Sequence, residues 1–356
     1  MTLAAPATHQ LQTYDDARAW YGPAMAARTD WKYSLTPADV AELDRAVAHA
    51  IENDIDLVTL TAAQFPLPTL GQKLRQVRQQ LLHGCAIALL RGWPSGERSL
   101  RESATAFYGL GTHLGEPISQ NGLGHVLGHV ANLGKDYKDP TTRGYQTKAE
   151  LQFHTDGGDI VGLLCIRPGL SGGQSRVASS TTVWNELVRR RPDLAELLKA
   201  GYWFSRVGEI SPGQSPAYQI PLFQDCEGRM IAFLVQSMIE KAQAFPEVPR
   251  LSAAQREALK MVETLASDDA IRLDMDFRPG DMQFLLNHSV LHSRTAYEDR
   301  PEPERRRHLL RLWLSCDDGP ALPSKAASGP QAKTAKGRPG GIELAGVRRV
   351  APLEPC

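Results

Sequence analysis

Cysteine is sparse in this chain and never paired as C-x-x-C: Cys85, Cys165, Cys226, Cys316 and Cys356 are scattered and odd in number. That argues against a disulfide framework or a cysteine-based zinc site, and predicts reduced, mostly buried thiols in a cytoplasmic protein. Net charge is also absent, with 40 Lys+Arg against 40 Asp+Glu and no long basic block. The electrostatic footprint of a nucleic-acid or anionic-membrane partner is therefore missing. No uninterrupted apolar run is long enough to cross a bilayer, and residues 1–16 show no basic region followed by an apolar stretch. What remains is ordinary for a globular protein: 356 residues, 42% hydrophobic and 22% charged, enough for a large core in one or two domains.

Helix signals dominate the first third. Thr36-Pro37 followed by Asp39 predicts a capped helix start, and Val40, Leu43, Val47 and Ile51 continue at helical spacing. Further helices are expected over 70–82 and 99–114. Between them, the apolar run 85–90 closed by Arg91-Gly92-Trp93-Pro94 reads as a buried strand. Strands then recur at 160–166, 177–180, in short runs within 202–235, and at 271–277, 282–286 and 308–316. Helices are expected over 183–198, broken at Pro192, and over 252–265. Many short strands after a helical opening predict a mostly β, α+β architecture: a double-stranded β-helix, or jelly roll, with flanking helices. The expected organisation is a helical region 1–84, a jelly-roll core 85–316 with helical insertions, and an extended Pro-, Gly- and Lys-rich tail 317–356.

The stretch Leu151-Gln152-Phe153-His154-Thr155-Asp156 alternates apolar and polar with a period of two. On such a strand His154 and Asp156 share one face, two metal ligands awaiting a third. A distant histidine would complete the two-histidine, one-carboxylate set that leaves positions open on a non-haem Fe(II) centre. His125 and His129, in His-Val-Leu-Gly-His, have the i, i+4 spacing of zinc ligands on a helix. Gly122, Gly124 and Gly128 argue against a helix there, and no Glu follows the first His. Residues 135–147, dominated by Gly, Asp, Pro and Thr, have the composition of a lid. Near the end of the chain Arg307 and Arg311 share a strand face, roughly 13 Å apart at about 3.3 Å per residue. Within the apolar run Leu309 to Leu314, Arg311 needs an anionic partner, either a protein carboxylate or a substrate group.

His154 and Asp156, the turn Gly172-Gly173-Gln174-Ser175, then His292, then Arg307 and Arg311 occur in one order and spacing. That order resembles the Fe(II)/2-oxoglutarate-dependent dioxygenases of the taurine dioxygenase and clavaminate synthase type, over about 150–180 and 277–315. The resemblance implies that His154, Asp156 and His292 bind iron, with His288 the alternative third ligand. It implies that Ser175, where the family commonly has Thr, and Arg307 hold the distal carboxylate of 2-oxoglutarate. Arg305, Arg306 and Arg307 are consecutive, so the arginine assignment stays open by one position. Arg311 matches a position that binds an anionic group of the substrate in several members. The implied cofactors are Fe(II), 2-oxoglutarate and O2, and the implied reaction is hydroxylation of a small anionic or amino-acid-like metabolite with release of succinate. Related halogenases lack the carboxylate ligand, so Asp156 argues against halogenation. Two readings from other classes stand beside this one: a zinc hydrolase built on His125 and His129, and a non-catalytic jelly-roll binding protein that would form no succinate.

Overall fold

The computed structural model describes residues 11–136, 139, 141–323 and 333–355. Helices open the chain as their caps dictate. The Thr36 hydroxyl accepts the Asp39 N–H at 3.2 Å and the Asp39 carboxylate accepts the Thr36 N–H at 2.7 Å, a capping box that starts Pro37–Glu52. Ser99 and Glu102 repeat the device ahead of Leu100–Thr112. The apolar stripes of these helices and of Leu70–His83 meet in one cluster through Leu43, Val47, Leu74, Val77, Leu81 and Phe107. That cluster continues into the strands Ile87–Arg91, Ile160–Arg167, Met282–Leu286 and His308–Ser315.

The larger of two principal sheets runs Lys32–Ser34, Ile87–Arg91, Met282–Leu286, Ile160–Arg167, His308–Ser315, Glu116–Pro117, with Gly128–Val130 also paired to His308–Ser315. The smaller runs Leu273–Met275, Ser175–Ser179, Val290–Arg294, Leu151–His154, all antiparallel. Its two faces are sorted by the period of two. Val177, Leu273, Met275 and Val290 join the core shared with the larger sheet. Phe153, Ala178 and Leu291 join a second core built by the helical insertion, with Trp184, Leu187, Phe223, Leu259 and Val262. The two sheets face each other as the double-stranded β-helix that the strand pattern predicts.

Several expectations are refined. The strand expected over 271–277 is only Leu273–Met275, because its partner begins at Ser175. Just ahead of Ser175 the chain turns through Gly172 and Gly173 at φ +69° and +72°, a conformation that favours glycine. Pro192 does not merely interrupt a helix: it opens a second one, Pro192–Leu198, after Ser180–Arg190 ends. The lid expected over 135–147 includes residues 137, 138 and 140, which lie outside the described residues. The tail folds back along the 118–130 segment. Ile342 N–H donates to Ser119 O at 2.9 Å, Val126 N–H to Val350 O at 2.9 Å and Val350 N–H to Gly124 O at 2.8 Å. Arg338 anchors it, 8% exposed, paired with the buried Asp159 and donating to Pro320 O at 2.8 Å. Among the described residues no helix is long and apolar enough to cross a membrane.

Candidate active site

A cavity of about 210 Å³ lies between the two sheets, and Leu163, Leu309, Arg311 and Trp313 of the larger sheet face His154, Ser175, His292 and Arg294 of the smaller one across it. The register explains the meeting. His292 stands opposite His154 on one side and Val177 on the other, and Arg294 stands opposite Ser175. Arg307, Leu309, Arg311 and Trp313 alternate into the cavity, while His308 points away.

His154, Asp156 and His292 each present a ligand atom, all within 4.8 Å of one another, and among the described residues no other metal-ligating cluster of three exists. Each is oriented by a neighbour. His154 Nδ1 donates to Gln152 O at 2.8 Å, which leaves Nε2 as the lone pair. Burial, and secondarily His292, push the His154 imidazole down to about 4, so it is neutral and able to ligate at pH 7. Asp156 is not on the strand, which stops at His154. The expectation that both residues share a strand face is corrected accordingly: a side-chain clamp brings the carboxylate round. Asn287 Oδ1 accepts the Asp156 N–H at 2.7 Å, and its Nδ2 donates to the carbonyls of Asp156 at 2.8 Å and Gly158 at 3.0 Å. Burial alone would raise the Asp156 pKa. Arg311, His292 and His154 outweigh it and hold the carboxyl far below its usual range.

Arg311 finds a partner inside the protein. Its Nη1 lies 3.3 and 3.2 Å from the two Asp156 oxygens, its Nε donates to Gln120 Oε1 at 2.8 Å, and its guanidinium lies 4.6 Å from the centre of the Tyr145 ring. Arg307 has no comparable match. It is 4% exposed, its guanidinium lies 4.8 Å from the centre of the Tyr297 ring, and its Nη1 is buried without a hydrogen-bond partner. Gly173 lets it pass, because a Cβ there would lie 2.8 Å from Arg307 Nε. Arg305 and Arg306 are exposed, and of the three arginines only Arg307 reaches the cavity. Ser175, 7% exposed, lines the same end and donates to Gln283 Oε1 at 3.4 Å. A buried guanidinium with an open donor beside a three-ligand cluster and a hydroxyl is a donor set that fits Fe(II) and a chelating dicarboxylate.

The remaining histidines do other work. His129 lies on the strand Gly128–Val130, and among the described residues neither it nor His125 belongs to a cluster of three ligating side chains, which leaves the zinc-hydrolase reading without a site. Its Nε2 donates to Pro352 O at 2.8 Å, and its Nδ1, 2.7 Å from His308 Nε2, accepts from it. Burial, then His129, presses His308 down to about 3, which keeps that network neutral. His125 pairs through its backbone with Val350. His288 packs against Phe233 with ring centroids 4.4 Å apart and planes tilted by 38°, and stands outside the ligand cluster.

Sequence reasoning missed three supports. Asn287 was detectable as a polar residue directly after the largely apolar strand Met282–Leu286. Gln120 carried no signal in its Gly-rich segment. Glu263, on the helix Ala253–Ala266, accepts the Phe153 N–H at 3.2 Å and so braces the strand that carries His154. Burial, and to a smaller degree Glu150, raise the Glu263 carboxyl to about 7. Its folded pKa thus exceeds the unfolded value of about 4.3, so stability falls as pH rises through that window and levels off above 7. Glu263→Gln keeps the acceptor without the charge. It is expected to raise the melting temperature relative to the parent at pH 8 and to leave it unchanged at pH 4; equal shifts at both would refute the assignment.

The sequence model of the family described as "Taurine catabolism dioxygenase TauD, TfdA family" matches residues 53–313. FR-33289 synthase of Streptomyces rubellomurinus (strain ATCC 31215) is 31% identical over 318 residues, 87% of this chain and 92% of that protein. A uridine-5'-phosphate dioxygenase of Amycolatopsis sp is 29% identical over 210 residues, 56% of this chain and 74% of that one. Among solved structures, asparagine oxygenase in complex with Fe(II), 2S,3S-3-hydroxyasparagine and succinate superposes with a TM-score of 0.61 at 16% identity, covering 88% of this chain and 100% of that chain. With its jelly-roll core, its one cluster of three ligating side chains among the described residues and a family match spanning most of its length, this chain belongs to the TauD/TfdA family of non-haem Fe(II)/2-oxoglutarate-dependent dioxygenases.

Proposed function

We propose that this enzyme hydroxylates a small anionic or amino-acid-like metabolite, with His154, Asp156 and His292 holding Fe(II) and Arg307 with Ser175 holding 2-oxoglutarate. The observation that carries the reading is the three-ligand cluster in one cavity with a buried guanidinium whose Nη1 has no partner. Fe(II), 2-oxoglutarate and O2 together supply the oxidant that hydroxylates a C–H bond, while the oxo acid leaves as succinate and CO2. Arg307, through its unpartnered Nη1, would pair with the far carboxylate of 2-oxoglutarate, in a setting where burial strengthens the pairing. Ser175, whose hydroxyl donates weakly to Gln283 Oε1 at 3.4 Å, would turn that proton to the same carboxylate. Phe233, Leu163, Leu309 and Phe277 line the cavity and exclude water from the reacting atoms. Arg311 orients Asp156 through Nη1 and offers the rest of its guanidinium to an anionic group of the substrate. Residues 85–316 act as the catalytic unit, with the described part of 1–84 packed on it and the described part of the tail closing one side of the cavity through Pro339, Ile342 and Leu344.

The substrate class draws on relatives whose printed names specify a phosphate-bearing nucleotide and asparagine. The test is an anaerobic titration with Fe(II) and then 2-oxoglutarate, watched for a weak visible metal-to-ligand band. A screen of anionic metabolites and amino acids for succinate release follows. Absence of the band refutes the cofactor assignment. For the substrate found, Arg311→Ala is expected to weaken substrate binding and leave 2-oxoglutarate affinity almost unchanged; equal substrate affinity in mutant and parent would return Arg311 to a purely structural ion pair.

A further inference from the structure

Asp156 is held from two sides, and the C-terminal tail reaches both. On the backbone side stands the loop 156–159. The Asn287 amide clamps Asp156 and Gly158, and the Asn287 N–H donates to Asp159 O at 2.9 Å. The Asp159 carboxylate, 1% exposed, accepts the Cys316 N–H at 2.8 Å and the Arg338 Nε–H at 3.2 Å, and Arg338 Nη2 pairs with its other oxygen. Arg338 thus grips the far end of the loop that begins at Asp156. Gly158 leaves that loop no slack, because a Cβ there would lie 3.1 Å from Leu314 N and O.

On the carboxylate side stands Arg311. Its Nε donates to Gln120 Oε1, and its guanidinium lies 5.0 Å from the centre of the Trp313 ring. Ile342 of the tail packs in one cluster with Trp313, Ile118 and Val161, and its N–H donates to the carbonyl of Ser119, the residue before Gln120. Gly341, at φ +87°, permits that approach, since a Cβ there would overlap the Ser119 backbone. A buried ion pair such as Arg338–Asp159 adds little net stability over an apolar pair of the same volume, and what it can add is a fixed geometry. Burial pushes the Asp159 carboxyl up and Arg338 is the strongest influence against it, so the carboxylate depends on this arginine for its charge.

We propose that Arg338 is a positioning residue for the iron ligand Asp156: docking of the tail, through the Asp159 pair and the loop 156–159, holds the carboxylate where it can ligate, so that iron affinity and tail docking are coupled. The inference rests on the reading of Asp156 as a ligand and adds the segment that fixes where it stands. Such coupling is reciprocal: whatever factor docking brings to iron binding, iron binding brings to docking.

The experiment is hydrogen–deuterium exchange of the full-length parent, read by mass spectrometry on peptides covering residues 339–351, anaerobically, with and without saturating Fe(II). These peptides carry the Ile342 and Val350 amides that tie the tail to Ser119 and Gly124. Fe(II) is expected to slow their exchange by roughly fivefold or more, beyond any slowing in the helix Pro37–Glu52. Exchange that Fe(II) leaves unchanged, or slows equally in the tail and in that helix, overturns the coupling, and neither result needs a variant. Beside it, Arg338→Ala is expected to raise the Fe(II) Kd by roughly fivefold or more, and Arg338→Lys, which keeps the cation without the fork, to recover part of the loss. A lower melting temperature in Arg338→Ala with the parent's Fe(II) Kd makes the pair purely structural and overturns the inference. Asp156→Ala that binds Fe(II) as the parent does overturns the ligand reading itself. Asp156→Ala that loses Fe(II) while Arg338→Ala keeps it overturns only the role of Arg338.

Discussion

Asp156→Ala is expected to abolish turnover, to weaken Fe(II) binding severely and to destabilise the fold. The two losses have separate origins. In the proposed site the metal would lose its carboxylate and keep only two imidazoles. The protein loses the counter-charge of Arg311, which is 6% exposed and 3.2 Å from the nearer Asp156 oxygen. Leaving a buried charge uncompensated costs roughly 3–5 kcal/mol. His154→Ala and His292→Ala are expected to abolish turnover and weaken Fe(II) binding as strongly with a smaller loss of stability, since neither strands a charge. Iron content after anaerobic loading, read beside the melting temperature, separates the two effects. Normal iron binding and turnover in His292→Ala would exclude it as a ligand and make His288 the next candidate.

Arg307→Ala is the second large effect, directed at the co-substrate. Removing the partner of a buried carboxylate costs roughly 3–5 kcal/mol, or about two to nearly four orders of magnitude in 2-oxoglutarate affinity. Iron binding in the absence of 2-oxoglutarate should be unaffected, because Arg307 takes no part in the ligand cluster. Ser175→Ala removes one hydroxyl donor and is expected to cost about 1 kcal/mol. Arg306→Ala is expected to be neutral, because Arg306 is exposed and donates to Pro301 O at 3.3 Å. The measurement is the affinity for 2-oxoglutarate from the visible band. A larger effect in Arg306→Ala than in Arg307→Ala would move the carboxylate site by one residue.

Much of this was legible in the residues themselves. Thr36-Pro37 with Asp39 and Ser99 with Glu102 determine where two helices begin, because a capping box is satisfied within four consecutive residues. Alternation determines that Arg307, Leu309, Arg311 and Trp313 share one face and His308 the other. The order of His154, Asp156, His292 and Arg307 was sufficient to suggest the family.

What only the tertiary structure decided involves partners distant in sequence. Asp156 reaches the ligand cluster because Asn287, 131 positions away, holds its backbone. Arg311 is committed to Asp156 and Gln120, a choice its own strand left open between protein and substrate. Arg307, and neither arginine before it, turns inward where Gly173 leaves room. The tail returns through Arg338 to Asp159 and adds Pro339, Ile342 and Leu344 to the cavity wall, though its composition reads only as loop. The physical reason is common to Asp156, Arg311 and the tail. Capping and alternation are satisfied among near neighbours and leave their mark as a local pattern. A buried charge or amide is satisfied by whichever donor or acceptor the fold delivers, and no spacing along the chain encodes it.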